Sequence, residues 1–234
     1  MDAARRLELR RTRPRPVHRA NEQAGSARSG AGQRATTPRV LVCKQKVLPK
    51  TISLAGLNHL IQTVEHLRYP IGPWTEKPAY TPDVVAAIID RIEQTPAEYA
   101  TLTANLDAND LAKQYREGSF TIQQLVHHVA DTHMMHLFRF KNALLMPGQP
   151  ALMADVSGWA SLEEARTAPV SYSLTMLEGT HQRIVFLART LSPEQLAITY
   201  HHTIRQRDMT LAQALDTVAW HAEHHLAHIR IALG

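Results

Sequence analysis

Apolar residues recur at helical spacing in four long stretches of this chain, all of them after residue 80. The clearest starts are Thr81 followed by Pro82, and Thr210 with Gln213 three residues later, because both arrangements cap the first turn of a helix. The predicted helices run from about Thr81 to Leu106, from Ser119 or Thr121 to Leu145, from Ser173 to Leu191, and from Thr210 to Leu233.

Strand patterns are sparse, and only the segment Tyr200–Met209 is suited to a short extended excursion. Four long helices without a sheet predict an all-α fold, the up-down four-helix bundle. The connection from Pro147 to Val170 is long, so it must cross or cap this bundle.

The beginning of the chain differs from the rest in composition and charge. Residues 1–40 are rich in Arg, Pro, Gly, Ser and Ala with little apolar periodicity, which predicts disorder. Residues 1–50 carry a net charge of +10, whereas residues 51–234 carry −5. We therefore predict a basic, disordered extension, residues 1–66, followed by one helical domain, residues 67–234. A translation start assigned too early would equally explain such an extension.

Composition also excludes several classes of function for the helical domain. Its mildly acidic charge argues against binding of nucleic acid. No apolar run approaches the roughly 18 residues of a membrane span. The single cysteine, Cys43, lies in the extension, so the domain has no disulfide, cysteine nucleophile or cysteine-bound zinc. Neither a G-x-S-x-G elbow nor a P-loop is present.

Four histidines fall within eight residues of the last predicted helix. His221 and His225 stand four residues apart, so they share one helical face and can bind the same ion. Counting 100° per residue places this pair at the edge of the apolar face, whereas His224 points to water. His228 is a further candidate ligand or a partner of one. Because Ala222 follows His221, the HExxH motif of zinc proteases is absent.

A second histidine cluster lies in the second predicted helix. It comprises His127, His128, His133 and His136. Helical periodicity favours His133 or His136 as the inward residue rather than His128. From the residues alone, the third ligand of a metal site therefore stays open.

Three segments of the chain together resemble the DinB/YfiT-like metal-dependent hydrolases, and most of all their bacillithiol-transferase branch. Gly118–Met134, continued by Arg139-Phe140-Lys141, is similar to the second helix of that family, and Trp220–Ile229 to its closing helix. Tyr69–Gly72 resembles its opening segment. One departure is visible, since Gly118-Ser119-Phe120-Thr121 stands where the family commonly has Gly-Gly-Trp-Thr. We expect the helix start to persist and the shape of the pocket to differ.

The resemblance implies a DinB-like four-helix bundle with one divalent ion per chain, most often zinc, with nickel as the other candidate. Carried over by position, the ligands are His128, His221 and His225. His221 and His225 agree with the helical wheel, whereas His128 replaces the wheel's preference for His133 or His136. The resemblance also implies a homodimer in the cytoplasm that acts on a small molecule.

Such an ion can lower the pKa of a coordinated water to about 7, which suits hydrolysis, or deprotonate a coordinated thiol, which suits thiol transfer. The resemblance supports both chemistries, the transfer being that of a low-molecular-weight thiol of the bacillithiol type to an electrophile. No catalytic residue is identified. The candidates for a general base are Asp131, Glu223 and Tyr200, and the two carboxylates could instead hydrogen-bond a ligand's second ring nitrogen. The alternative is a non-catalytic metal-binding or stress-associated bundle, in which His228 or His133 closes a structural site.

Overall fold

The computed structural model describes residues 64–234. Residues 64–68 are helical, and the elements that follow are α1 Pro82–Thr103, α2 Ala108–Leu111, α3 Ile122–Leu145, α4 Val156–Ala160, α5 Glu163–Thr167, α6 Val170–Arg189, α7 Pro193–Leu196, β1 Thr199–His202, β2 Arg207–Thr210 and α8 Leu211–Leu233. Except for residues 64–66, the predicted basic extension lies outside the described part of the chain. None of the described helices is both long and apolar enough to cross a membrane.

The four long helices α1, α3, α6 and α8 pack as a bundle, which confirms the predicted all-α, four-helix class. Helices α1 and α3 each pack against both α6 and α8. Although they follow each other along the chain, α1 and α3 therefore occupy opposite corners of the bundle. The two helices that carry the main histidine clusters, α3 and α8, are neighbours.

Local sequence explains where these helices begin. The Thr81 hydroxyl accepts a hydrogen bond from the Val84 backbone N–H. Thr121 and Thr210 each form a capping box with the glutamine three residues later, which satisfies backbone donors that would otherwise lack partners. Helix α6 begins at Val170, three residues before the predicted start, and has no side-chain cap.

The connections between the long helices also carry structure. The predicted extended segment is an antiparallel hairpin of β1 and β2, in which Tyr200 pairs with Met209. In the long connection after α3, the short helices α4 and α5 both pack against α3. This connection therefore covers one face of the bundle, as the sequence predicted.

The hydrophobic core is divided along the bundle into two clusters. One surrounds Ile92, Phe140, Ile184 and Leu215, and the other surrounds Tyr99, Leu125, Leu177 and Leu226. Each long helix contributes a polar residue between the two clusters: Thr95 from α1, His133 from α3, His181 from α6 and His221 from α8. A layer of histidines thus crosses the interior of the bundle.

Candidate metal centre

The structure brings together His128, His221 and His225, the three residues predicted as ligands. His128 lies in the second turn of α3, and the other two stand one turn apart on α8. The Nε2 atom of His221 is 3.2 Å from that of His128 and 3.1 Å from that of His225. Three imidazole nitrogens therefore converge on one point between two neighbouring helices.

The spacing of these nitrogens fits a divalent ion. Ligand atoms bound at about 2.0–2.1 Å to a tetrahedral ion are about 3.3–3.4 Å apart, close to both separations above. His128 and His225 are each 9% exposed, so little of either side chain is open to solvent. A three-histidine set of this kind suits zinc or nickel and leaves one coordination position open.

Burial keeps these imidazoles neutral at pH 7. It lowers the pKa of His128 to about 4. Burial is the larger cause that lowers the pKa values of His221 and His225 well below the ordinary value. Repulsion from positive charge on neighbouring histidines lowers them further. A neutral imidazole carries the lone pair that binds a metal, so the protonation state of these three rings also suits a divalent ion.

A second set of three histidines shares His225 and adds His224 and His228. The Nε2 atom of His228 lies 3.1 Å from the carbonyl oxygen of Leu67 and 3.2 Å from that of Arg68. Because carbonyl oxygens only accept, this nitrogen carries a proton and donates it. The second set therefore contains at least one ring nitrogen that is committed to the protein backbone.

The helical wheel was wrong about His224. It predicted that this side chain points to water, whereas it is only 6% exposed. Its ring stacks on Trp220 at 4.5 Å between centroids and lies 5.9 Å from the ring of Tyr69. The segment that precedes α1 covers this face of α8, which periodicity within α8 could not reveal.

Burial alone does not select one histidine of α3. His127, His128, His133 and His136 are all at most 9% exposed. They differ in their partners. His127 contacts the Ser173 hydroxyl at 2.7 Å, and His133 contacts His181 at 2.6 Å. Of the four, His128 is the one whose ring nitrogen meets the Nε2 atom of His221.

The three candidate general bases differ in their surroundings. Glu223 pairs with Arg91. The Tyr200 hydroxyl lies 3.8 Å from the Met209 sulfur. Burial raises the pKa of Asp131, with a further contribution from the charge of Glu164 on α5.

Within residues 64–234, none of these three side chains hydrogen-bonds His128, His221 or His225. Histidines take the place predicted for the carboxylates. His133 contacts the Nδ1 atom of His221 at 3.0 Å, and His228 contacts that of His225 at 3.2 Å. The prediction that Asp131 or Glu223 partners a ligand is therefore wrong.

His181 is a component of this region that sequence reasoning missed. It is a single histidine on α6, between the core residues Leu177 and Ile184, and it is fully buried. Its position on the buried face of α6, between Leu177 and Ile184, was the available signal. A lone histidine on such a face is hard to distinguish from an ordinary core residue until its partner on α3 is known.

The segment before α3 that differs from the common family sequence, Gly118-Ser119-Phe120-Thr121, forms part of the wall of the site. Thr121 still caps the helix, as expected. The ring of Phe120 lies 5.4 Å from that of His128. The residue that stands where the family commonly has Trp therefore contacts the candidate ligand from α3.

Comparison with known proteins agrees with this architecture. Residues 91–229 match the DinB superfamily. A Bacillus cereus protein named "Putative metal-dependent hydrolase" is 39% identical over 163 residues, which cover 70% of this chain and 93% of that protein. A Bacillus pumilus protein of the same name is 36% identical with the same coverage. The structure of YfiT from Bacillus subtilis, described as a probable metal-dependent hydrolase with an unusual four-helix bundle topology, is similar with a TM-score of 0.69 and 33% identity, over 70% of this chain and 94% of that one. The chain belongs to the DinB superfamily.

Proposed function

We propose that this protein is a metal-dependent hydrolase whose divalent ion is held by His128, His221 and His225. The observation that carries the proposal is the convergence of three neutral imidazole nitrogens, with separations of 3.1 and 3.2 Å about His221. The names of the relatives from Bacillus cereus and Bacillus pumilus support it. We propose zinc as the ion because three nitrogen ligands and an open position are typical of catalytic zinc, and nickel is the other candidate.

When bound, such an ion supplies a Lewis acid that lowers the pKa of a coordinated water or thiol. The residues around it shape the site. Phe120 shields His128 from one side, and the stacked pair of Trp220 and His224 closes the outer face of α8. The limited exposure of His128 and His225 suits a small-molecule substrate better than a polymer.

Transfer of a low-molecular-weight thiol is the second candidate, and one observation favours it. Within residues 64–234, no carboxylate hydrogen-bonds the three histidines, and Glu223 is engaged by Arg91. Hydrolysis gains from a positioned general base, whereas a thiol that binds a divalent ion loses its proton without one. The helical domain contains no cysteine, so the thiol would enter as a cosubstrate, as in the bacillithiol-transferase branch.

The test uses the full-length protein loaded with zinc or nickel. One arm offers activated esters and amides. The other offers several low-molecular-weight thiols together with a generic electrophile, and product is followed in both. Turnover of an ester or amide supports the hydrolase, and a thioether product supports the transferase. Metal removal that unfolds the bundle, without turnover in either arm, would overturn both and favour the non-catalytic bundle with a structural ion.

The ligand assignment has its own control. His221→Ala should lose the metal, whereas His201→Ala, a histidine on β1 that pairs with Asp208, should keep it. Full metal stoichiometry in His221→Ala would show that the assignment is wrong. Assembly as a homodimer and residence in the cytoplasm stay predictions, which size-exclusion chromatography and cell fractionation would check.

A further inference from the structure

Two chains of hydrogen-bonded histidines lead away from the candidate metal centre, and each ends at a backbone carbonyl. We propose that these chains fix the ring tautomers of His221 and His225, so that the Nε2 atom of each is free of a proton and faces the ion. His133, His181 and His228 are then positioning residues of the site. The inference rests on the proposed function for the identity of the ligands.

The first chain crosses the bundle from α8 to α1. The Nδ1 atom of His221 is 3.0 Å from the Nε2 atom of His133, and the Nδ1 atom of His133 is 2.6 Å from the Nε2 atom of His181. The Nδ1 atom of His181 is 2.6 Å from the carbonyl oxygen of Ile92. The chain therefore joins α8, α3, α6 and α1 within the polar layer between the two core clusters.

The carbonyl acceptor at the end of this chain determines which nitrogen of each ring carries the proton. The Ile92 oxygen only accepts, so the Nδ1 atom of His181 must carry the proton and donate it. In a neutral ring the Nε2 atom of His181 then accepts, which requires a proton on the Nδ1 atom of His133. By the same step the Nε2 atom of His133 accepts from the Nδ1–H of His221. The Nε2 atom of His221 is left with a lone pair.

The second chain is shorter and reaches the segment before α1. The Nε2 atom of His228 lies within 3.2 Å of the carbonyl oxygens of Leu67 and Arg68, so it carries the proton. The Nδ1 atom of His228 then accepts from the Nδ1–H of His225, 3.2 Å away. The Nε2 atom of His225 is thereby also left with a lone pair.

These assignments change the meaning of the short contact between the two ligands. The Nε2 atoms of His221 and His225 are 3.1 Å apart. If both lack a proton, they cannot form a hydrogen bond, and their lone pairs repel until a cation lies between them. The reversed tautomers would instead place the Ile92 oxygen and a nitrogen lone pair 2.6 Å apart, inside the bundle.

Packing holds the rings of both chains in place. His133 and His181 are both fully buried, and their rings are nearly coplanar, with 4.9 Å between centroids and 13° between planes. His228 stacks on Tyr115 at 3.8 Å and 8°. Burial lowers the pKa of His181 to about 4, so this ring is neutral at physiological pH, as the chain of donors requires. Residues that hydrogen-bond a ligand ring fix its orientation, and their substitution commonly changes metal affinity about 10- to 100-fold.

The first test reads the tautomers in the metal-free, full-length protein at pH 7.5. Two-bond ¹⁵N–¹H correlation spectra distinguish a proton on Nδ1 from one on Nε2, and single substitutions assign each ring. We expect the proton on Nδ1 in His133, His181, His221 and His225, and on Nε2 in His228. A proton on Nε2 of His221 or His225 would overturn the inference.

The second test measures zinc affinity at pH 7.5 by competition with a chromogenic chelator. His133→Phe and His228→Phe should bind zinc about 10- to 100-fold more weakly. The controls are His136→Phe on α3, which is buried but outside the chains, and His201→Phe on β1, and both should bind zinc within about threefold of the wild type. His228→Gln, whose amide can both donate and accept, should recover part of the loss.

Wild-type affinity in both His133→Phe and His228→Phe would contradict the positioning role. Equal losses in the controls would also contradict it, because the effect would then be one of packing. If the wild type binds no zinc or nickel, the proposed function fails separately. The tautomers of the metal-free protein still decide whether the two chains exist as proposed.

Discussion

Two overlapping sets of three histidines occupy the same end of the bundle and share His225. The first adds His128 and His221, and the second adds His224 and His228. In both sets the closest ring nitrogens lie within 4.8 Å of one another, so proximity does not separate them. Nor does burial, since all but His221 are at most 9% exposed.

The partners of the other ring nitrogens separate the two sets. In the first set, the protons of His221 and His225 are directed away from the centre, toward His133 and His228. In the second set, the Nε2–H of His228 donates to the backbone carbonyls, and the remaining lone pair on its Nδ1 atom accepts from His225. A histidine cluster is a candidate metal site when its lone pairs converge, and counting the acceptors around it shows whether they do.

The largest expected effect comes from removing a ligand that belongs to the first set alone. His128→Ala should lower bound zinc from about one ion per chain to near zero, because two imidazoles from one helix bind far more weakly than three. His224→Ala, which alters only the second set, should keep about one ion. Elemental analysis after dialysis measures both. Retained zinc in His128→Ala together with loss in His224→Ala would reverse the comparison.

The next effect is the stabilisation that the metal gives to the folded state. At a free zinc concentration 100 times the Kd, binding adds about 2.7 kcal/mol to the free energy of unfolding. For a domain of this size that corresponds to a rise in Tm of roughly 5–10 °C. Thermal unfolding followed by circular dichroism should show this rise in the wild type and in His224→Ala. The same rise in His128→Ala would place the ion elsewhere.

Acid should destabilise the metal-free protein over a defined range of pH. Burial lowers the pKa of His181 to about 4, while the unfolded chain binds that proton near pH 6.5. Between these values the unfolded state holds more protons, so the free energy of unfolding falls as the pH falls from about 6.5 toward 4. The contribution of this one buried ring is at most about 3 kcal/mol.

Urea unfolding with a chelator present, at several pH values, measures this slope. His181→Phe should flatten it, and His201→Phe on the hairpin, whose ring is 36% exposed, serves as the control. An unfolding free energy in the wild type that does not change between pH 7 and pH 5 would contradict the prediction.

The smallest expected effect concerns the outer wall of the second set. Trp220 stacks on His224 and donates a hydrogen bond from its indole nitrogen to the Gly72 carbonyl at 3.1 Å. Trp220→Phe removes the donor and reduces the stacked area, which should cost about 1 kcal/mol of stability and leave zinc affinity unchanged. Chemical denaturation and the chelator competition check the two parts. A loss of zinc affinity would show that the second set contributes to the site.

Much of this architecture could be predicted from local sequence. Thr81, Thr121 and Thr210 mark the starts of three long helices, because capping depends on residues within one turn. The four-residue spacing of His221 and His225 placed them on one face for the same reason. Resemblance between sequences, rather than periodicity, pointed to His128.

By itself, the sequence determined the helices, the pairing of His221 with His225 and the family to which the chain belongs. The tertiary structure alone decided that α1 and α3 occupy opposite corners, that His224 is covered, and that His181 is linked to His221 through His133. The reason is the distance along the chain over which these contacts form: 48 residues separate His133 from His181, and 161 separate His228 from Leu67. A helical wheel describes one helix in isolation, whereas the partner of a ring nitrogen depends on which other helix packs against it.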